Sequence, residues 1–214
     1  MSELTVNEIF FSIQGESGFA GMPCVFVRLT GCNLRCVWCD TEYAFYEGRQ
    51  MSIGEILGKV EAYSCKLVEV TGGEPLAQEG VYDLMTILCD RGFKVLLETS
   101  GSISIANVDS RVRRIVDIKC PGSGMVKENL WENIGFLTPR DEVKFVVGSK
   151  EDFDWAVDVI RRRELEKKCP ILMLPVFGDV QPVELADWIL QSRIPVRFQL
   201  QMHKYIWEPE ARGV

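Results

Sequence analysis

The sequence predicts an α/β protein on a parallel sheet, in the form of an open, partial (β/α)6 barrel. Three observations predict it. Short apolar runs of strand character alternate with amphipathic helical stripes, the pattern of βαβ units joined by right-handed crossovers. About six such units fit into 214 residues, too few for a closed eight-stranded barrel of roughly 250 residues. No internal repeat, low-complexity tract or linker interrupts the rhythm, so residues 1–214 are read as one domain.

Leu4 to Phe10 is expected as a first short strand, followed by the polar, glycine-containing loop Phe11-Ser12-Ile13-Gln14-Gly15-Glu16-Ser17-Gly18. Cys24 to Leu29 is apolar enough for a buried strand. Ile53, Ile56, Leu57 and Val60 mark a helix, with Ser52 and Glu55 placed for a capping box. Leu67 to Val70 is a strand that breaks at Thr71-Gly72-Gly73-Glu74-Pro75. Val81, Leu84, Met85 and Leu88 mark a helix stopped at Gly92. Phe93 to Glu98, Ile115 to Ile118, Glu142 to Val147, Ile171 to Leu174 and Val196 to Leu200 are the remaining strands. Helices around Phe153–Ile160 and Leu185–Ile189 separate the last three, and Cys120 to Pro139 carries only a weak helix around 127–133. In a parallel architecture sites gather beyond the C-terminal strand ends, where the cysteine loop, residues 71–73, residues 98–99 and the stretch after Ile118 fall.

Composition is that of an ordinary globular chain, 47% hydrophobic and 26% charged. A net charge of -7 argues against a general electrostatic grip on nucleic acid but leaves room for one arginine to bind a small anion. No signal segment opens the chain, and the longest apolar stretches fall well short of the roughly 20 residues of a membrane span. The eight cysteines therefore suit a reducing cytoplasm rather than a disulfide framework. Cys24, Cys65, Cys89, Cys120 and Cys169 are expected as small core residues.

The chemistry concentrates in Gly31-Cys32-Asn33-Leu34-Arg35-Cys36-Val37-Trp38-Cys39-Asp40-Thr41, a C-x3-C-x2-C loop after a strand. Three soft thiolates suit an iron–sulfur cluster or zinc. A protein-only [4Fe-4S] site takes four cysteines, so three leave one iron open. The bland alternative is a zinc knuckle completed by a distant cysteine or by His203, though structural zinc sites usually pair two ligand dyads. Gly72-Gly73 allows a ligand's amino group to approach the main chain, or is a plain turn. Thr41 suits a helix cap first and a hard cation such as Mg²⁺ second. Arg28 lies inside an apolar strand, where it meets either an internal carboxylate or a substrate carboxylate held in bidentate fashion. His203, the only histidine, is by itself most simply a satisfied surface or core group.

The cysteine spacing, with an aromatic residue before the third thiol, resembles the radical S-adenosylmethionine (SAM) superfamily and its partial TIM-like barrel. Ile13-Gln14-Gly15-Glu16, Phe26-Val27-Arg28, Cys36 to Thr41, Thr71 to Pro75, Leu97-Glu98-Thr99, Gln201-Met202-His203 with Trp207, and Arg212-Gly213-Val214 resemble the 7-carboxy-7-deazaguanine synthase family, in order and over nearly the whole chain. The resemblance implies a carbon–nitrogen lyase that converts 6-carboxy-5,6,7,8-tetrahydropterin to 7-carboxy-7-deazaguanine with loss of ammonia, for queuosine-type nucleosides. It implies a [4Fe-4S] cluster on Cys32, Cys36 and Cys39 and SAM chelated at the open iron. SAM would be lined by Trp38, Cys39, Asp40 and Gly73, and by Asp117, Ile118 and Lys119 where other members carry a Ser-Pro-Lys-type segment. Ile13, Gln14, Gly15, Arg28, Thr71, His203 and Val214 would contact the pterin, Arg28 and His203 serving catalysis. Mg²⁺ would bridge Thr41 and substrate. An electron donor such as flavodoxin or ferredoxin and a homodimer are also implied, and an extension after Val214 is expected to impair activity. A glycyl-radical activating enzyme and a non-catalytic iron–sulfur or zinc protein are the competing readings.

Overall fold

A computed structural model describes residues 3–214. They form one nine-stranded sheet in the order β3-β1-β2-β4-β5-β6-β7-β8-β9. The strands are β1 (Glu3–Ile13), β2 (Pro23–Leu29), β3 (Arg49–Ser52), β4 (Leu67–Gly72), β5 (Lys94–Thr99), β6 (Arg113–Asp117), β7 (Glu142–Val147), β8 (Ile171–Pro175) and β9 (Arg197–Phe198). From β2 to β9 every neighbouring pair is parallel, whereas β1 runs antiparallel to both β2 and β3. The sheet does not close, so the expected open, partial barrel is the observed fold.

The helices are α1 (Ile53–Ala62), α2 (Gly80–Asp90), α3 (Lys150–Arg163), α4 (Pro182–Ser192) and a single turn, α5 (His203–Ile206). The capping box at Ser52 and Glu55 is present, with both reciprocal bonds made. The first four helices cover the outer face of the sheet, against Val25, Val27, Val68, Val70, Val95 and Leu97 on one side and Val143, Phe145, Ile171 and Met173 on the other.

Three differences from the expected elements have physical causes. The crossovers from β5 to β6 and from β6 to β7 contain no α-helix; the second holds only 3-10 turns at Pro121–Ser123, Val126–Glu128 and Trp131–Phe136. Glycines and prolines punctuate that stretch, and no apolar stripe exists to seat a helix. The last strand shrinks to Arg197–Phe198, because Gln199 onwards peels away toward the site. Among the cysteines placed in the core, Cys24, Cys120 and Cys169 are buried, but Cys65 and Cys89 are only half-buried.

Side chains of successive strand residues alternate between faces. Phe10, Cys24, Phe26, Leu67, Leu96 and Ile115 therefore share the inner face and pack with Phe19, which the loop after β1 folds beneath them. That loop is tied down by Glu142, which accepts from the Gly18 amide at 2.9 and 3.0 Å, and by Gln199, which donates to the Ser17 carbonyl at 2.6 Å. Two residues further along β2, β4, β5 and β6 the same inner face turns polar, at Arg28, Glu69, Glu98 and Asp117, joined by Thr71 of β4 and Lys144 of β7. The apolar floor and the polar ring above it come from one alternation carried through five strands.

Candidate active site

The cysteine loop leaves the end of β2 and is held by its neighbours rather than by regular structure. The Val37 amide donates to the Ser123 carbonyl at 3.0 Å, and Arg35 turns back to the carbonyl groups of Cys32 and Leu34 at 2.9 and 2.6 Å. All three thiols are half-buried, and Cys36 and Cys39 each feel the charge of another thiol. Burial pushes all three up from the ordinary thiol value, while the ammonium of Lys119 opposes it. Among the described residues, no three histidine, cysteine or acidic side chains converge on a single-ion site. The soft donor set, with three protein ligands in one loop, fits a cluster that keeps one iron open.

The segment after β4 lies directly against this loop. The Gly73 amide donates to the Leu29 carbonyl at 3.3 Å and the Glu74 amide to the Gly31 carbonyl at 2.9 Å. A methyl group on Gly73 would stand 2.6 Å from Cys32 Cβ, so only glycine permits the approach. Glu74 is fully buried and accepts from Thr99 Oγ1, from the Ser100 amide and hydroxyl, and from the Leu76 amide, at 2.5 to 3.0 Å. It ties the ends of β4 and β5 together.

Trp38 packs over Gly122 and Gly148, the starts of the connections that follow β6 and β7; a β-carbon on Gly148 would meet the indole at 2.8 Å. Asp117 ends β6 with Lys119 Nζ on its Oδ2 at 2.9 Å, and its Oδ1 is buried with no hydrogen-bond partner. That orphaned acceptor is able to take a hydrogen bond from a ligand hydroxyl or ammonium. Ile118 is buried among apolar side chains and its amide already donates to the Lys144 carbonyl at 2.9 Å. Of the side-chain atoms of residues 117–119, Asp117 Oδ1 is the one buried without a partner.

Arg28 meets an internal carboxylate and keeps a free end as well. Its Nε donates to Glu8 Oε1 at 2.8 Å, and the Tyr43 hydroxyl shares that oxygen at 2.9 Å. Burial, reinforced by Glu8, pushes the Tyr43 phenol up to about 12. The two terminal nitrogens of Arg28 make no hydrogen bond to any described residue. Thr71 sits across the same rim and donates to Glu98 Oε2 at 3.4 Å.

Gln14, expected to face the substrate, is 4% exposed, and all its polar groups are engaged internally. Its amide nitrogen donates to Glu69, its oxygen accepts from the Glu16 amide at 2.5 Å, and its peptide groups bond Met22 and Gly21. Gln14 shapes the loop between Ile13 and Gly15. Burial first, then the charges of Glu98 and Glu16, push the Glu69 carboxyl well above its usual range.

The C-terminal segment returns over this rim. The Met202 amide donates to the Gly15 carbonyl at 3.0 Å, and a methyl group on Gly15 would lie 2.5 Å from His203 Nδ1. Lys204 Nζ binds Asp40 Oδ2 at 2.9 Å, and Gln201 bridges Asp40 and Glu16 at 3.2 Å each. The Lys204 ammonium and the Thr41 hydroxyl together hold the Asp40 carboxyl well below the usual carboxylate range. Thr41 does not cap the following turn, as its residue type favours; its hydroxyl donates to Asp40 Oδ1 at 3.0 Å. Further on, Arg212 packs over the Tyr43 ring, its Cζ 3.9 Å from the centroid, and bonds Glu47 at 2.9 Å. Gly213 then lies alongside Glu8, the partner of Arg28, with Val214 beyond it.

Sequence reasoning passed over Glu69, Lys144 and Lys204, and a cavity of about 260 Å³ between the end of β8 and α5, lined by Pro175, Phe177, Gln181, Leu200, Gln201 and Tyr205. The first two had a signal: each is a charged residue in an otherwise apolar strand, as Arg28 is. The cavity had none, since it forms only where the final segment folds back over β8.

Comparisons with known proteins agree with this geometry. Residues 26–189 match the family model described as the Radical SAM superfamily. The 7-carboxy-7-deazaguanine synthase of Chlorobaculum tepidum is 50% identical over 99% of this chain and 97% of its own. That of Koribacter versatilis is 45% identical over 99% and 100%. Among solved structures, QueE from Escherichia coli superposes with a TM-score of 0.78 at 24% identity, over 94% of this chain and 95% of that one, and shares the fold. SuiB of Streptococcus suis, solved with S-adenosylmethionine bound, shares it more distantly, with a TM-score of 0.54 over 80% of this chain and 45% of its own. No described helix is long and apolar enough to cross a membrane. A three-thiol loop at the end of β2, a glycine pair pressed against it and relatives alike over the full length lead to one assignment: the chain belongs to the 7-carboxy-7-deazaguanine synthase family of the radical SAM superfamily.

Proposed function

We propose that the chain converts 6-carboxy-5,6,7,8-tetrahydropterin into 7-carboxy-7-deazaguanine with release of ammonia, in the biosynthesis of queuosine-type nucleosides. The relatives' shared name supports the product. The observation that carries the substrate reading is Arg28: a guanidinium anchored through Nε, with both terminal nitrogens free at the rim of the polar ring, suits a bidentate carboxylate.

Cys32, Cys36 and Cys39 would hold the [4Fe-4S] cluster, with SAM at the open iron. Bound there, cluster and SAM supply the hydrogen-atom abstraction that starts ring contraction. The chain's own residues do the rest by placement. The main chain at Gly73 would receive the SAM amino group, Trp38 and Cys39 would line the cofactor beside Asp40, and Asp117 Oδ1 would offer it a buried acceptor. Arg28 orients the pterin carboxylate; Ile13, Gly15 and Thr71 shape the pocket, with Gln14 acting through the loop it braces. His203 and the stretch ending at Val214 close the rim and exclude water. Thr41, freed from any capping bond, offers an oxygen to Mg²⁺. The enzyme works in a reducing cytoplasm with a flavodoxin- or ferredoxin-type donor, as a homodimer.

Anaerobic reconstitution, reduction, and supply of SAM with the carboxypterin tests this reading. Product should form by mass spectrometry with little SAM consumed. SAM cleavage without any 7-carboxy-7-deazaguanine sinks it.

A further inference from the structure

Three carboxylates of the polar ring converge on one ammonium, that of Lys144. The residue is buried on β7, opposite Asp117 of β6 in the parallel register. Its Nζ donates to Glu98 Oε1, bonds Glu16 Oε2 at 2.9 Å and stands 3.6 Å from Asp117 Oδ2. Those oxygens arrive from three places in the chain: the loop after β1, the end of β5 and the end of β6. Through Glu16 the same ammonium reaches Gln201, and through Gln201 the Asp40 carboxylate beside the cysteine loop. Removing one partner from such a buried set leaves the other charges uncompensated, so the three carboxylates cannot hold their positions independently.

The three are not equivalent. Glu16 and Asp117 are 14% and 11% exposed at their side chains, against 29% for Glu98. Glu98 gives Oε1 to Lys144 and leaves Oε2 with only the long bond from Thr71. An ionised acceptor with an open oxygen, across the rim from Arg28, suits the N–H donors on the pyrimidine edge of a pterin whose carboxylate Arg28 holds. We propose that Lys144 is a positioning residue for the reaction, clamping Glu98 by one oxygen so that the other meets the substrate's N–H edge, and locking Glu16 and Asp117 around it. The inference rests on the pterin reading above.

Around Glu98 stand Lys144 on β7, Arg28 on β2, Lys119 after β6, and the acids Glu69 on β4, Glu16 and Asp117. Burial disfavours its charge, but Lys144 first, then Arg28 and Lys119, hold its carboxyl below the usual range. Loss of Lys144 therefore moves the protonation of Glu98 to higher pH.

The test uses reconstituted holoenzyme and a double-mutant cycle of K144M, E98Q and E98Q/K144M, with K144R beside it. K144M should raise the pterin KM about tenfold, well beyond any change in the SAM KM, and shift the acid limb of kcat/KM upward. In the E98Q background K144M should cost clearly less than beside the native Glu98, because one of the three groups it holds no longer carries charge while Glu16 and Asp117 still do. Equal costs in both backgrounds, or an unmoved acid limb, overturn the inference. Should K144M fail to fold, K144R decides: it keeps the charge and so the acid limb, but its longer head displaces Glu98 and should raise the pterin KM; an unchanged KM overturns the inference. Failure of the wild-type enzyme to convert the pterin would instead sink the underlying reading.

Discussion

Gly73→Ala puts the coupling between the cofactor segment and the cluster loop to a direct test. The new methyl group would stand 2.6 Å from Cys32 Cβ, and nearer still to the Gly31 carbonyl oxygen. Carbon atoms rest at about 3.5 Å or more, so the two backbones must part by roughly 1 Å. The opposing atoms are main chain and a β-carbon, which no rotamer change can move aside. Overpacking of this kind costs about 1–3 kcal/mol, equivalent to roughly 5- to 150-fold in an equilibrium constant. The strain is relieved by displacing Cys32, so the expected result is lower iron content after limiting anaerobic reconstitution, and a raised SAM KM in what cluster remains. Far-ultraviolet circular dichroism should stay that of the wild type, since α1, α2 and the sheet lie outside the contact. Full iron loading together with an unchanged SAM KM would refute the argument that the glycine exists to let the two loops touch.

Arg28→Met should raise the pterin KM roughly 10- to 100-fold, the loss of about 1.5–3 kcal/mol of charge-assisted bonding, while uncoupled SAM cleavage persists; steady-state kinetics with each substrate varied separates the two. Gly15→Ala drives a methyl group into His203, and should release the C-terminal segment to limited proteolysis while leaving iron content intact. Asp141→Ala removes a buried carboxylate that accepts five hydrogen bonds from Arg114 and Thr138. Leaving Arg114 buried without it should cost about 3–5 kcal/mol in urea titration. Burial raises the Asp141 carboxyl, but the bonds from Arg114 and Thr138 hold it below its unfolded value of roughly 3.9. Its contribution to stability is therefore complete above that pH and fades as pH falls through the lower folded value, so wild type and Asp141→Ala should converge in stability in strong acid.

Much of the fold was written in local patterns. The helical stripes at Ile53–Val60, Val81–Leu88 and Phe153–Ile160, the capping box at Ser52, and the strand at residues 142–147 stand where periodicity placed them. The 3-10 turns of residues 121–136 carry no such period, because irregular backbone is held there by polar contacts that no spacing announces, such as Asn129 and Asn133 reaching the carbonyl groups of Lys119 and Gly101. β3 was missed for a related reason: Arg49-Gln50-Met51-Ser52 is polar, and becomes a strand only because β1 offers it an edge.

By itself the sequence pointed to the radical SAM superfamily, through three thiols in eight residues and a glycine pair one crossover later, because ligand spacing and the absence of a β-carbon are local properties. It also made Arg28 a candidate, since a charge in an apolar strand must find a partner, though the same signal at Glu69 and Lys144 was passed over. Tertiary structure alone decided which partner. Arg28 took Glu8 with one nitrogen and kept two free, Gln14 turned inward to Glu69, Thr41 bonded its neighbour instead of capping a turn, and Lys144 gathered acids from three distant segments. The reason is dimensional: spacing along a chain fixes which face of a strand a side chain occupies, whereas the pairing of charges across that face depends on sheet register and on how the last residues fold back over it.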